Sequence, residues 1–222
     1  MRLRLAALLI LPVLAAALGG CGGDDDDTEA TPTTTASSTA GGCTDVTPPT
    51  LPGDDQQKPT KKLDPAKTYR LVLATNCGLF TIQLDQKLAP NAAASLVALA
   101  ENQYFDGITF HRVVPGFVIQ GGDPSGTGTG GPGYQTVDPP PQNAKYTRGV
   151  VAMAKTLDDP RGAAGSQFFV VTGADAGLPP DYAIVGKVTD GMDTVDKIDA
   201  LGTGDGPPSQ PVVIDKVTVE ES

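Results

Sequence analysis

The amino-acid sequence predicts a mainly β domain, a closed β-barrel of about eight strands plugged by two helices, behind a long polar arm. Three observations carry this. Short runs rich in β-branched and aromatic residues recur from residue 69 onward, and only two stretches carry apolar residues at helical spacing. Gly and Pro, 27 and 20 of the 222 residues, punctuate the gaps between them. In chain order, residues 69–74 and 79–84 are strands flanking Asn76-Cys77-Gly78, a hairpin signal. Pro90 opens a helix, because its fixed φ suits a first turn, with Ala93, Leu96, Val97 and Ala100 on one stripe. Strands follow over 109–114, 117–120, 149–154, 167–171 and 183–188. A second short helix places Met192, Val195, Ile198 and Leu201 on one face, and a last strand covers 212–219. Residues 67–222 form the domain, long enough to bury a core.

Two segments precede it. Arg2 and Arg4, then the apolar run 5–18, have the make-up of a secretory signal peptide over residues 1–20. Leu18-Gly19-Gly20-Cys21 resembles the bacterial lipobox. That resemblance implies cleavage before Cys21 and acylation of its thiol and new amine, with about 0.8 kcal/mol of membrane affinity per buried methylene. An ordinary signal peptide with a chance cysteine is the alternative, and the leucine three places ahead of Cys21 favours the lipoprotein. Residues 21–66 contain the acidic block 24–27 and a Thr/Pro/Ala/Ser tract at 31–39, and read as a disordered spacer. The adjacent carboxylates lack the loop glycine and spaced Glu of an EF-hand. With Cys21 assigned to lipid, Cys43 and Cys77 remain. Outside the cytoplasm that pair reads as a disulfide, with two free or separately buried thiols as the alternative. The expected location is extracytoplasmic, on the bacterial cell membrane.

The balance of 26 acidic against 16 basic residues, net charge −10, argues against a nucleic-acid partner, since no Lys/Arg cluster is present to neutralise phosphates. His111 is the only histidine, which excludes a His-rich metal site. Residues 126–131 satisfy G-x-G-x-x-G, but Pro132 and Gly133 stand where a dinucleotide-binding helix should begin, so a flexible or backbone-crowded loop is the better reading. Ser166 lacks the G-x-S-x-G elbow of a hydrolase. Neither metal nor organic cofactor is expected.

The run YFDGITFHRVVPGFVIQGGDP at 104–124 closely resembles the central signature of the cyclophilins, which are peptidyl-prolyl cis–trans isomerases. Met153-Ala154 before a loop ending Gly165-Ser166-Gln167-Phe168-Phe169, and Tyr182-Ala183-Ile184-Val185-Gly186-Lys187-Val188, agree in order, so the likeness spans residues 68–219. It implies an eight-stranded antiparallel barrel capped by two helices. The reaction fits the residue types. Rotating an X-Pro bond crosses a barrier of about 20 kcal/mol, and catalysis requires tighter binding of the twisted amide than of either planar isomer. By resemblance Arg112 donates to the prolyl nitrogen, and Gln120 and Gln167 hold the substrate backbone. Phe117, Val118, Phe169 and Leu178, with Tyr182, enclose the proline. Ala154, Lys155 and Thr156 line the strand where preceding residues lie, and Gly128 borders the groove. Four positions depart from the best-known eukaryotic members: Gly177 stands nearest their Trp, Tyr182 replaces their usual His, and Lys155 and Thr156 replace their usual Asn and Ala. The first change implies weak cyclosporin binding. The expected partners are proline-containing segments of exported proteins, met by a monomeric enzyme. The alternative is a non-catalytic module that captures proline segments as a chaperone or adaptor.

Overall fold

Alternation of large apolar and polar side chains sets the sheet. In β1 (Tyr69–Thr75) residues 69, 71, 73 and 75 point inward, and in β2 (Gly78–Leu84) Phe80, Ile82 and Leu84 do the same. Thr75 pairs with Gly78, leaving Asn76 and Cys77 as the turn. The computed structural model describes residues 42–51 and 55–222. Its remaining elements are α1 (Pro90–Glu101), β3 (Arg112–Val114), β4 (Val118–Gly121), β5 (Thr136–Val137), β6 (Val150–Met153), β7 (Ala163–Ala164), β8 (Phe168–Val171), β9 (Ile184–Asp190), α2 (Met192–Asp199) and β10 (Ile214–Glu221). Eight strands form one antiparallel sheet in the order β10-β1-β2-β9-β6-β8-β4-β3, and β5 and β7 form a separate small ribbon.

The closed barrel is corrected by this order: the sheet curls into a half-barrel whose outer strands, β3 and β10, do not pair. The expected strand over 109–114 divides. Its first half meets the segment before β10 through one isolated bridge, Thr109 to Val213, with Phe110 N–H donating to Val212 (2.9 Å) and Ile214 N–H to Ile108 (2.8 Å). The chain leading into β10 carries Pro207, Pro208 and Pro211, which have no N–H to donate, so a continuous ladder cannot extend to β3.

Helix α1 begins with Pro90 as expected, but its cap comes from elsewhere in the chain. Ala89 offers no side-chain acceptor, and the Asp138 carboxylate takes the N–H groups of Asn91 (3.1 Å) and Ala92 (2.7 Å). The helix buries Leu96, Val97 and Leu99 and packs on β10 and β5. Helix α2 buries Val195 and Ile198 against β2, β3 and β4. Inside the curl, Leu73, Phe80, Phe110, Ile119, Met153, Phe168 and Ile214 make the main core.

Residues 42–51 and 55–66 of the expected spacer are described and lie against the domain. Residues 1–41, with the proposed leader, Cys21 and the 31–39 tract, lie outside the described residues. From Gly42 the chain straps the domain. Cys43 and Cys77 are joined by a disulfide, and Thr44 and Asn76 exchange hydrogen bonds beside it (2.8 and 2.7 Å). Pro49 and Leu51 lie against Gly107, where a Cβ would stand 2.8 and 3.0 Å from them, so the bare backbone permits the contact. Gln56 N–H donates to Pro132 (2.9 Å), and Leu63 packs on the core. The bridge and two leucines, too few to register in a polar composition, offset the entropy of ordering.

Candidate functional site

The strands around β8 are covered on both faces. Phe168 points into the main core, and Phe169, one residue on, points outward into a second cluster with Val118, Tyr146, Ala152 and Val171. The same alternation puts Val113 and Ile119 inside and Arg112, Val118 and Gln120 outside. On this outer face Arg112, Phe117, Val118, Gln120, Ala154, Lys155, Phe169, Leu178 and Tyr182 line a pocket of about 280 Å³. A larger adjoining cavity, about 660 Å³, shares Gln120, Ala154 and Lys155 with it and adds Gly128, Thr156 and Gln167. Every residue expected at the groove therefore lies on one of two connected pockets.

Polar groups run along the groove in a chain. Arg112 and Gln120 face each other across β3 and β4, and Arg112 Nη1 donates to Gln120 Oε1 at 3.3 Å. Gln120 Nε2 donates to Gln167 Oε1 (3.0 Å), whose Nε2 donates to the carbonyls of Gly128 and Gly130 (2.9 Å each). The other edge of the guanidinium is held by Asp205: Nε donates to Oδ1 at 2.5 Å and Nη2 to Oδ2 at 3.1 Å. Arg112 also lies 6.0 Å from the centre of the Phe117 ring. The Asp205 carboxyl is held below the usual carboxylate range by its hydrogen bonds from Arg112 and by the guanidinium charge.

The floor is aromatic. Phe169, Tyr146 and Tyr182 meet edge-on or tilted at 5.6–6.4 Å. Tyr146, fully buried, ties Tyr182 at both backbone groups, donating to its carbonyl (2.7 Å) and accepting from its N–H (3.0 Å). Lys155 turns its ammonium inward to Asp181 (2.9 Å), 5.7 Å from the Tyr182 ring, so its charge is already paired. Thr156 is fastened to Asp159 through its N–H and hydroxyl (2.8 Å each). At Gly177 a side chain would meet nothing within 4 Å, so the rim beside Leu178 is open there.

The glycine-rich loop is crowded by its own backbone. Asp123, buried, accepts from Ser125, from Gly128 N–H (2.6 Å) and from Gly130 N–H (3.1 Å), and a Cβ at Gly130 would collide with its carboxylate. Burial pushes the Asp123 carboxyl up, but the bonds from Ser125, Gly130 and Gly128 together outweigh it and hold it below the usual range. His111 turns under this loop, away from the groove, and neither ring nitrogen has a partner among the described residues. Among those residues no cluster of three or more His, Cys, Asp or Glu is placed to hold a metal ion.

Sequence reasoning missed Asp205, Asp181 and Tyr146. Asp205 sits between two glycines in a loop, a setting that reads as turn, and Asp181 and Tyr146 lie far along the chain from Lys155 and Tyr182, so no local pattern links them.

Comparison with known proteins agrees with this geometry. A model of the family described as "Cyclophilin type peptidyl-prolyl cis-trans isomerase/CLD" matches residues 70–219. A peptidyl-prolyl cis–trans isomerase of Helicobacter pylori is 37% identical over 150 residues, covering 61% of this chain and 90% of that protein. Peptidyl-prolyl cis–trans isomerase A of Mycobacterium tuberculosis is 36% identical over 174 residues, covering 70% and 94%. The crystal structure of a cyclophilin-type isomerase of Cryptosporidium parvum superposes with a TM-score of 0.63 at 31% identity, covering 69% of this chain and 98% of that one. A second structure of it, determined in the presence of the dipeptide Ala-Pro, superposes equally well at 0.63. The chain thus belongs to the cyclophilin-type peptidyl-prolyl cis–trans isomerase family.

Proposed function

We propose that the groove on the outer face of the sheet isomerises X-Pro bonds in exported proteins, without covalent chemistry. The proline ring enters the smaller pocket, against Phe169, Phe117 and Leu178, and the residues before it lie along Ala154, Lys155 and Thr156 toward the larger one. The single observation that carries the reading is the position of Arg112, a half-buried guanidinium on the wall of the pocket that Phe117, Val118, Phe169 and Leu178 also line. As the amide twists, resonance is lost and the lone pair localises on the prolyl nitrogen. A donor aimed there interacts more strongly with the twisted state than with either planar isomer, which is what lowers the barrier. Gln120 and Gln167, already linked to each other, hold the flanking backbone so that one side of the bond stays fixed while the other turns.

The lipobox-like Cys21 supports attachment to a membrane outside the cytoplasm, and the Cys43–Cys77 disulfide agrees with an oxidising compartment. No helix among the described residues is long and apolar enough to cross a membrane, so in this reading the lipid is the anchor.

Titration of the protein with an Ala-Pro-containing peptide, followed by amide NMR, tests the assignment of the groove. The expected result is shifts concentrated at Phe117, Gln120, Ala154 and Phe169, with accelerated cis–trans exchange of the peptide. Shifts centred elsewhere, for example around Lys67 and Gln86, would contradict it. Binding at the groove without acceleration would leave a proline-capturing module.

A further inference from the structure

Asp205 makes the closest polar contact to the proposed catalytic arginine. Its carboxylate takes Nε and Nη2, the edge of the guanidinium turned away from Gln120, in a two-point clamp. The clamp is built into the fold. The adjacent Gly206 carbonyl accepts the N–H of Val113, the residue after Arg112, at 2.8 Å, so the loop is fastened to the strand that carries the arginine. Ser209 N–H donates to Leu201 (2.8 Å) and closes the base of the loop. Gly202 lies so near Pro115 and the Val113 carbonyl that a Cβ would stand 2.7 and 2.9 Å from them, which fixes where the loop leaves α2.

We propose that Asp205 is a positioning residue for Arg112, locking the guanidinium plane so that Nη1 is the donor presented to the twisted amide. The inference rests on the isomerase reading of the groove. Five donors on a long flexible side chain can point many ways, and two hydrogen bonds donated to one carboxylate remove most of that freedom before substrate arrives. The negative charge also opposes the field of the arginine at the proline, but the Asp205 side chain is 69% exposed and water screens it, so orientation is the larger effect.

The test compares full-length protein in detergent with Asp205→Ala and Asp205→Glu, using exchange NMR of an X-Pro peptide and the Arg112 Nε–H signal. Loss of the clamp is expected to lower kcat about tenfold or more while KM changes less than about twofold, since ground-state contacts remain. The Nε–H signal, protected in the wild type, is expected to exchange rapidly with water in Asp205→Ala, and Asp205→Glu to recover part of both. An active wild type with an Asp205→Ala variant of equal or higher kcat overturns the inference alone, as does an unchanged Nε–H signal. A wild type that gives no acceleration overturns the isomerase reading and this inference with it.

Discussion

Arg112 and His111 are neighbours in sequence that face opposite sides of the chain, and their environments differ accordingly. Arg112 reaches the groove and is paired. His111 is turned under the loop of Gly126–Gly130, where burial pushes its imidazole down, Arg112 adds to that, and the carboxylate of Asp123 only partly offsets them. A histidine whose folded-state value lies below its unfolded value resists protonation in the native state. The native fold then takes up fewer protons than the unfolded chain, so stability is complete above about pH 6.5 and declines as pH falls toward the depressed value. Since the chain contains one histidine, urea midpoints measured between about pH 7 and 5.5 should fall in the wild type and change less in His111→Gln. A slope identical in both would show that His111 does not carry the effect. At this scale most of the residues expected at the groove come from one dense run and two short motifs and line the two pockets together, whereas Asp205 and Tyr146 act through contacts made only after folding.

At the level of elements, the described parts of the expected spacer, residues 42–51 and 55–66, lie against the domain through specific contacts. Average composition predicts disorder when apolar residues are few, but one covalent bridge and a few well-placed contacts at Leu51 and Leu63 are sufficient. Replacing both Cys43 and Cys77 by Ala should cost about 3–4 kcal/mol in denaturant unfolding, as expected for closing a loop of their 34-residue separation. Turnover of a short peptide should change less than about twofold, because Arg112 and the proline pocket are far from the bridge in the chain and built on other strands. A large loss of activity with little loss of stability would reverse that assignment. The eight main strands and both helices were legible from their apolar runs and spacing, because each is at least three residues long and carries apolar residues. The two-residue strands β5 and β7 are too short to show a period, and the open seam between β3 and β10 depends on which N–H groups prolines remove, not on hydrophobic pattern.

At the scale of the whole molecule, a lipid anchor at Cys21 is proposed to tether the isomerase domain. If Cys21 is acylated, Cys21→Ala should move the protein from the membrane pellet to the soluble fraction of its bacterial host, with peptide isomerisation by the domain unchanged. Continued sedimentation of that variant with the membrane would place the attachment elsewhere. The central claim, that Arg112 converts a proline-binding groove into a catalyst, is tested most directly by exchange NMR of an X-Pro peptide with Arg112→Ala beside the wild type. Loss of one preorganised donor should slow the catalysed exchange about a hundredfold or more while peptide affinity stays within a few-fold. A variant that exchanges the peptide as fast as the wild type would contradict the account.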